Sequence, residues 1–173
     1  SIKDIEKINK LKINKKELAK NIIQNFLRQA VGDGFFHGDM HQGNLFVDKD
    51  GNIIPVDFGI MGRLDDANRK YLAEILYGFI NRDYEKVADV HFIAGLVPSD
   101  QSKDSFSQAL RSIGEPIFGQ SIKNISAGKL LAQLFEITEQ FNMATQPQLL
   151  LLQKTMVVVE GVARTLDEDA NIW

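Results

Sequence analysis

The chain has 173 residues, with 20 Lys and Arg against 23 Asp and Glu, a formal net charge of −3, 44% hydrophobic residues and no cysteine. A chain of this length buries about 70% of the surface it exposes when unfolded, so a core forms without a metal or disulfide staple. The missing Cys excludes thiolate zinc sites, Cys nucleophiles and disulfide frameworks, and the longest apolar runs, Leu149–Leu152 and Met156–Val159, are far too short to cross a bilayer.

The chain opens on a polar, Lys-rich stretch without the apolar centre of a signal peptide. Its first twenty residues hold seven Lys against Asp4, Glu6 and Glu17, a net charge of +4 that leaves −7 for the remainder. Interleaved Lys without aromatic partners reads as a solvated helix face, and no nucleic-acid partner is expected. From Leu18 the apolar positions Leu18, Ile22, Ile23, Phe26, Leu27 and Ala30 recur at helical spacing until Gly32 and Gly34 interrupt them. Two β-rich stretches follow, Asn44–Val47 and Asn52–Val56, and the Asp50-Gly51 pair between them is a strong hairpin signal. After Gly62 the helical period returns at Leu72, Ile75, Leu76, Phe79 and Ile80, and again from Tyr84 to Ala94, where Gly95 and Pro98 end it. Further helices are expected at Lys103–Ile113, at Ala127–Phe141 with Ser126 as N-cap, and at Gln148–Leu166 with Pro147 in the first helical position. The stretch Gly114–Gly119, with Pro116 inside it, reads as a loop but not as a domain boundary. The fold class is therefore mainly α with one small β-hairpin.

The chemistry-bearing segment is His37-Gly38-Asp39-Met40-His41-Gln42-Gly43-Asn44, followed after the hairpin by Asp57-Phe58-Gly59. Asp39 and Asn44 bracket a loop before the first strand, and the hairpin returns the chain so that Asp57 follows the second. Carboxylate and amide oxygens arranged in this way suit Mg²⁺, which is held by one or two protein carboxylates together with phosphate oxygens and water. Asp39, nearer the loop entry, is then placed to accept a proton from, or to orient, a hydroxyl or water attacking phosphorus.

The order His-x-Asp-x-x-x-x-Asn, hairpin, Asp-Phe-Gly resembles the catalytic and magnesium loops of the protein-kinase-like fold. The fuller strings FFHGDMHQGNLFV and VDFGIMGRL, with QKTMVVVEGVARTLD near the end, resemble the UbiB family of atypical kinase-like proteins linked to ubiquinone biosynthesis. The resemblance spans nearly the whole chain. It implies a kinase-like C-terminal lobe over residues 1–173, Asp39 as the catalytic-loop aspartate, Asn44 and Asp57 as Mg²⁺ ligands facing ATP, and bracing of the loop by His37. It also implies a peripheral place at the cytoplasmic or organellar face of a membrane, with membrane lipid or a ubiquinone-pathway complex as partner.

The departures are specific. Gly38 stands where typical protein kinases have Arg before the catalytic Asp, His41 where many have Lys, and Gln42 where the family has Pro. No Ala-Pro-Glu follows Asp57, which argues against a peptide-substrate platform. The phosphate loop, strand lysine and adenine hinge of such folds have no counterpart here, nor does the family's Lys-x-Gly-Gln motif, because Ile117 precedes Gly119-Gln120 by two. The nucleotide-binding N-terminal lobe is thus an expected partner, and the isolated chain is expected to be inactive. Two alternatives stand beside this reading: a small-molecule phosphotransferase of the aminoglycoside or choline kinase type, and a non-enzymatic lipid- or protein-interaction module. A zinc hydrolase built on His37, Asp39 and His41 ranks behind both, since only three His exist. His91, Lys154 and Glu160 read as structural, and Gly38, Gly43 and Gly62 as residues permitting unusual backbone angles.

Overall fold

The structure is a computed structural model that describes residues 1–118, 133, 136–144 and 146–170. In chain order its elements are α1 (Ile5–Lys10), α2 (Lys15–Leu27), a π-helical turn (Arg28–Asp33), β1 (Phe35–His37), β2 (Leu45–Val47), β3 (Ile53–Pro55) and β4 (Met61–Arg63). After them come α3 (Asp66–Ile80), α4 (Tyr84–Ile93), α5 (Lys103–Phe118) and α6 (Pro147–Leu166), and residues 136–140 between α5 and α6 are also helical. The fold is mainly helical with a small antiparallel hairpin, as the sequence pattern predicts, and a second short strand pair beside it. The chain divides into two compact units, residues 1–63 with 148–173, and residues 64–147.

In the first unit, local capping sets the helix starts. The Asp4 carboxylate accepts the Lys7 N–H (3.1 Å) and opens α1, and the Asn14 side chain accepts the Glu17 N–H (3.1 Å) and opens α2. Helix α2 buries Leu18, Ala19, Ile22, Ile23 and Phe26, the stripe its spacing predicts, and runs on through the π-helical turn to Gly34 at φ +68°. The expected hairpin is β2–β3, with Phe46 opposite Ile54. Its turn is tied by the Asp48 carboxylate, which accepts the N–H groups of Asp50 (2.9 Å) and Asn52 (2.8 Å).

A second strand pair went unforeseen. Strands β1 and β4 are antiparallel, with Phe36 opposite Gly62 and His37 opposite Met61, so they close the segment that contains the hairpin. Phe36 is fully buried, packs edge-on against Phe26 at 5.8 Å, and lies where a side chain at position 62 would be. Space, not torsion, therefore demands glycine there. The same correction holds for Gly38 and Gly43: among the described residues the glycines with positive φ are Gly34, Gly51 and Gly95.

The second unit is an apolar helical core. Tyr84, Val87 and Ala88 of α4 meet Phe106, Leu110 and Ile113 of α5, with Val97, Ile137 and Phe141 completing the cluster. Phe106 lies at its centre, with edge-on rings of Phe141 at 5.0 Å, His91 at 5.2 Å and Phe92 at 6.0 Å. Helix α5 corrects the expected loop at Gly114–Gly119, since it continues through Pro116 to Phe118. The reason is tertiary: Ile113 is buried, and a Cβ at Gly114 would stand 2.5 Å from the Tyr84 hydroxyl, so the core holds this turn helical against its local propensity. Of the expected helix Ala127–Phe141, residues 136–140 are helical, while Ser126 and residues 127–132, 134 and 135 lie outside the described residues. Among the described residues no helix is long and apolar enough to cross a membrane.

Candidate functional site

Asp39, Asn44 and Asp57 all lie in the first unit, at the ends of its short strands. Asp39 comes two residues after β1, Asn44 directly precedes β2, and Asp57 falls between β3 and β4. Two backbone bonds extend the strand pairs into these loops: the Gly38 N–H donates to Ile60 O, and the Val56 N–H donates to Asn44 O, each at 2.9 Å. The second bond puts Asn44 across from the residue before Asp57.

His37 joins the two loops. Its ring is 1% exposed, with Nδ1 accepting the Asp39 N–H (3.1 Å) and Nε2 donating to Val56 O (3.0 Å). These partners assign the Nε2–H tautomer and leave neither ring nitrogen for a metal. His37 is thus a brace, as expected, and among the described residues no group of three or more His, Asp or Glu gathers as a metal cluster.

The Asn44 amide nitrogen donates to Asp39 O (3.0 Å) and, more weakly, to Asp39 Oδ2 (3.4 Å). Both donor directions are therefore spent on Asp39, and Oδ1 keeps no hydrogen bond among the described residues. His41 lies over Gly43, whose N–H donates to its Nδ1 (2.9 Å), and its Nε2 stands 3.6 Å from Asp39 Oδ2. A Cβ at Gly43 would come within 2.7 Å of that ring, so the glycine admits the imidazole.

Asp57 has φ +60°, a left-handed conformation that Asp tolerates better than most side chains. It is exposed, its Oδ1 accepts the Gly59 N–H at 3.3 Å, and no Lys, Arg or His among the described residues pairs with it. Phe58 leans towards the His37 ring, 5.3 Å between centroids. The donor set left over is all oxygen: one amide oxygen and one exposed carboxylate, with a second carboxylate hydrogen-bonded to the same amide. That set suits a hard divalent cation such as Mg²⁺ and suits zinc poorly.

Comparison with known proteins gives the family. The ABC1 atypical kinase-like domain matches residues 1–91, and the UbiB helical domain matches residues 110–171. The chain belongs to the UbiB family of atypical kinase-like proteins. It is 43% identical over 176 aligned positions to a "Probable protein kinase UbiB" of Pasteurella multocida, covering 99% of this chain and 33% of that protein. Proteins of the same name from Photorhabdus laumondii (44%) and Histophilus somni (41%) each align over 99% of this chain and 32% of their own length. The chain thus spans about a third of the length of these curated relatives. No solved structure matches it.

In this UbiB-family chain the residue that sequence reasoning passed over, Thr155, lies on α6. Thr155 is 1% exposed, and its hydroxyl stands 3.0 Å from Gly38 O and 2.7 Å from Leu151 O. A Cβ at Gly38 would come within 2.9 Å of Ile60 and 3.0 Å of Leu151, which explains why no Arg precedes Asp39 here: the helix occupies its place. The signal was present, since Thr155 falls with Leu152, Val159 and Val162 on the buried stripe of α6. Glu160, on the same stripe, is buried with Oε1 2.5 Å from Arg164 Nη2. Burial pushes its carboxyl above the usual range, and the Arg164 guanidinium offsets this only in part.

Proposed function

We propose that this chain is the C-terminal lobe of an ATP-using atypical kinase or ATPase, with the nucleotide-binding half-site supplied by an N-terminal lobe. The observation that carries the reading is the pairing at Asn44: its amide nitrogen is bound to Asp39, its side-chain oxygen keeps no hydrogen bond among the described residues, and its backbone carbonyl accepts the N–H of Val56, the residue before Asp57. Asn44 and Asp57 would hold Mg²⁺, whose chemistry is to neutralise charge on the ATP phosphates. Asp39, half-buried and held at its N–H, carbonyl and carboxylate, orients the attacking hydroxyl or water and takes its proton. His37 keeps the two loops at a fixed spacing. Support for an acceptor in ubiquinone biosynthesis, and for peripheral attachment to a membrane through lipid or a pathway complex, comes from the family resemblance alone.

The test is calorimetric titration of the intact protein with ATP, with and without Mg²⁺. Wild type is expected to bind saturably only with the metal, and Asp57→Asn to weaken binding at least tenfold. Metal-independent binding that Asp57→Asn leaves unchanged contradicts the assignment.

A further inference from the structure

The peptide unit joining Gly38 to Asp39 is gripped at both polar ends. Its N–H, that of Asp39, donates to His37 Nδ1 at 3.1 Å, and its carbonyl, that of Gly38, faces the Thr155 hydroxyl at 3.0 Å. The His37 grip comes from within the motif and leads on through Nε2 to Val56 O. The Thr155 grip comes from a helix far along the chain, within the region matching the UbiB helical domain. Beside it, Leu151 fills the space over the Gly38 Cα. A hydroxyl buried to 1% exposure and shared between two carbonyls is a costly group to keep unless one of those bonds does something an apolar isostere cannot.

We propose that Thr155 is a positioning residue for Asp39: its hydroxyl fixes the plane of the Gly38–Asp39 peptide and thereby the direction in which the Asp39 carboxylate leaves the loop. The consequence for turnover rests on the phosphotransfer reading above, whereas the positioning itself does not. The competing account is that Thr155 merely back-bonds to Leu151 O within its own helix, a habit of buried Thr that adds little to helix stability. The two accounts part at Thr155→Val, which keeps shape and volume and deletes only the hydroxyl. Back-bonding alone predicts no effect on the loop. Positioning predicts a displaced Asp39, and small misplacements of a reacting group cost large factors in rate.

The experiment compares wild type, Thr155→Val and Thr155→Ser by two readouts. Amide NMR of this chain reads the Asp39 N–H and Asn44 side-chain resonances, and steady-state ATP turnover of the intact protein separates kcat from KM. Thr155→Val is expected to move both resonances and lower kcat about tenfold with KM for ATP within twofold, and Thr155→Ser to restore both readouts to near wild type. If Thr155→Val matches wild type in the resonances, or Thr155→Ser loses as much as Thr155→Val, the positioning role is overturned. If Asp39→Asn turns over like wild type, the phosphotransfer reading fails instead, and the amide resonances still decide the positioning.

Discussion

The two units use the same physical forces in different proportions. The second is organised around Phe106, 0% exposed and ringed edge-on by three aromatic side chains, and its stability is that of dispersion and apolar burial. The first buries polar side chains in its strand segment and in α6: His37, Asn44, Thr155 and Glu160 are all at most 7% exposed. Three of these, His37, Asn44 and Thr155, bond the backbone that carries Asp39. Apolar contacts tolerate small shifts, while hydrogen bonds fix direction as well as distance. On the proposed reading, aiming the Asp39 carboxylate needs the second kind, whereas the aromatic cluster around Phe106 is held by the first.

Core truncation gives the largest expected effect. Phe106→Ala in the second unit removes the common partner of three rings and is expected to cost about 3–5 kcal/mol in denaturant unfolding. A loss below about 1 kcal/mol would mean that the aromatic cluster does not organise that unit. Next comes Gly62→Ala in the first unit, where the added methyl enters the Phe36 ring. It is expected to cost about 1–3 kcal/mol and, unlike Phe106→Ala, to shift the His37 resonances, because His37 is the last residue of β1, next to Phe36. Unchanged His37 signals in a destabilised variant would break the link between the β1–β4 pair and the site.

The smallest effects are the pH dependences, and they have opposite signs. Burial raises the Glu160 pKa in the fold, so the folded chain keeps a proton that the unfolded chain releases. Its stabilising share is full below the ordinary carboxylate range and is lost as pH rises through that range to the raised value. Burial lowers the His91 pKa, against a backbone bond to Val87 O at 2.7 Å that favours the charged form. The unfolded chain therefore takes up a proton that the fold refuses, and stability falls as pH drops through the ordinary imidazole range. Thermal melts across pH are expected to lose the first slope in Glu160→Gln and the second in His91→Gln. Slopes that persist unchanged in both variants would assign them to other groups.

Much of this was legible in the sequence because it is local. Asp50-Gly51 announces the β2–β3 hairpin, the α2 stripe its buried face, and the chain order of Asp39, Asn44 and Asp57 puts the first two before the hairpin and the third after its second strand. What was hidden depends on partners far along the chain. Strands of three residues, such as β1 and β4, are too short to show a period, and their pairing closes the segment only in space. Gly38 looked like a backbone-angle residue until Leu151 and Ile60 were seen to occupy the place of its Cβ. Pro116 looked like a loop because local propensity speaks against helix, and the packing of Ile113 and Gly114 overrides it. Thr155 stood in plain view on the buried stripe of α6, but its bond to Gly38 crosses most of the chain.

The central claim is that Asp39 serves the chemical step while Asn44 and Asp57 serve the metal-bound nucleotide. The most direct measurement is Mg²⁺-dependent ATP binding and turnover by the intact Asp39→Asn protein beside wild type. The account predicts ATP affinity within about threefold of wild type and turnover reduced at least a hundredfold, in keeping with loss of a general base. Wild-type turnover in Asp39→Asn, with the chain folded and ATP bound, would contradict it.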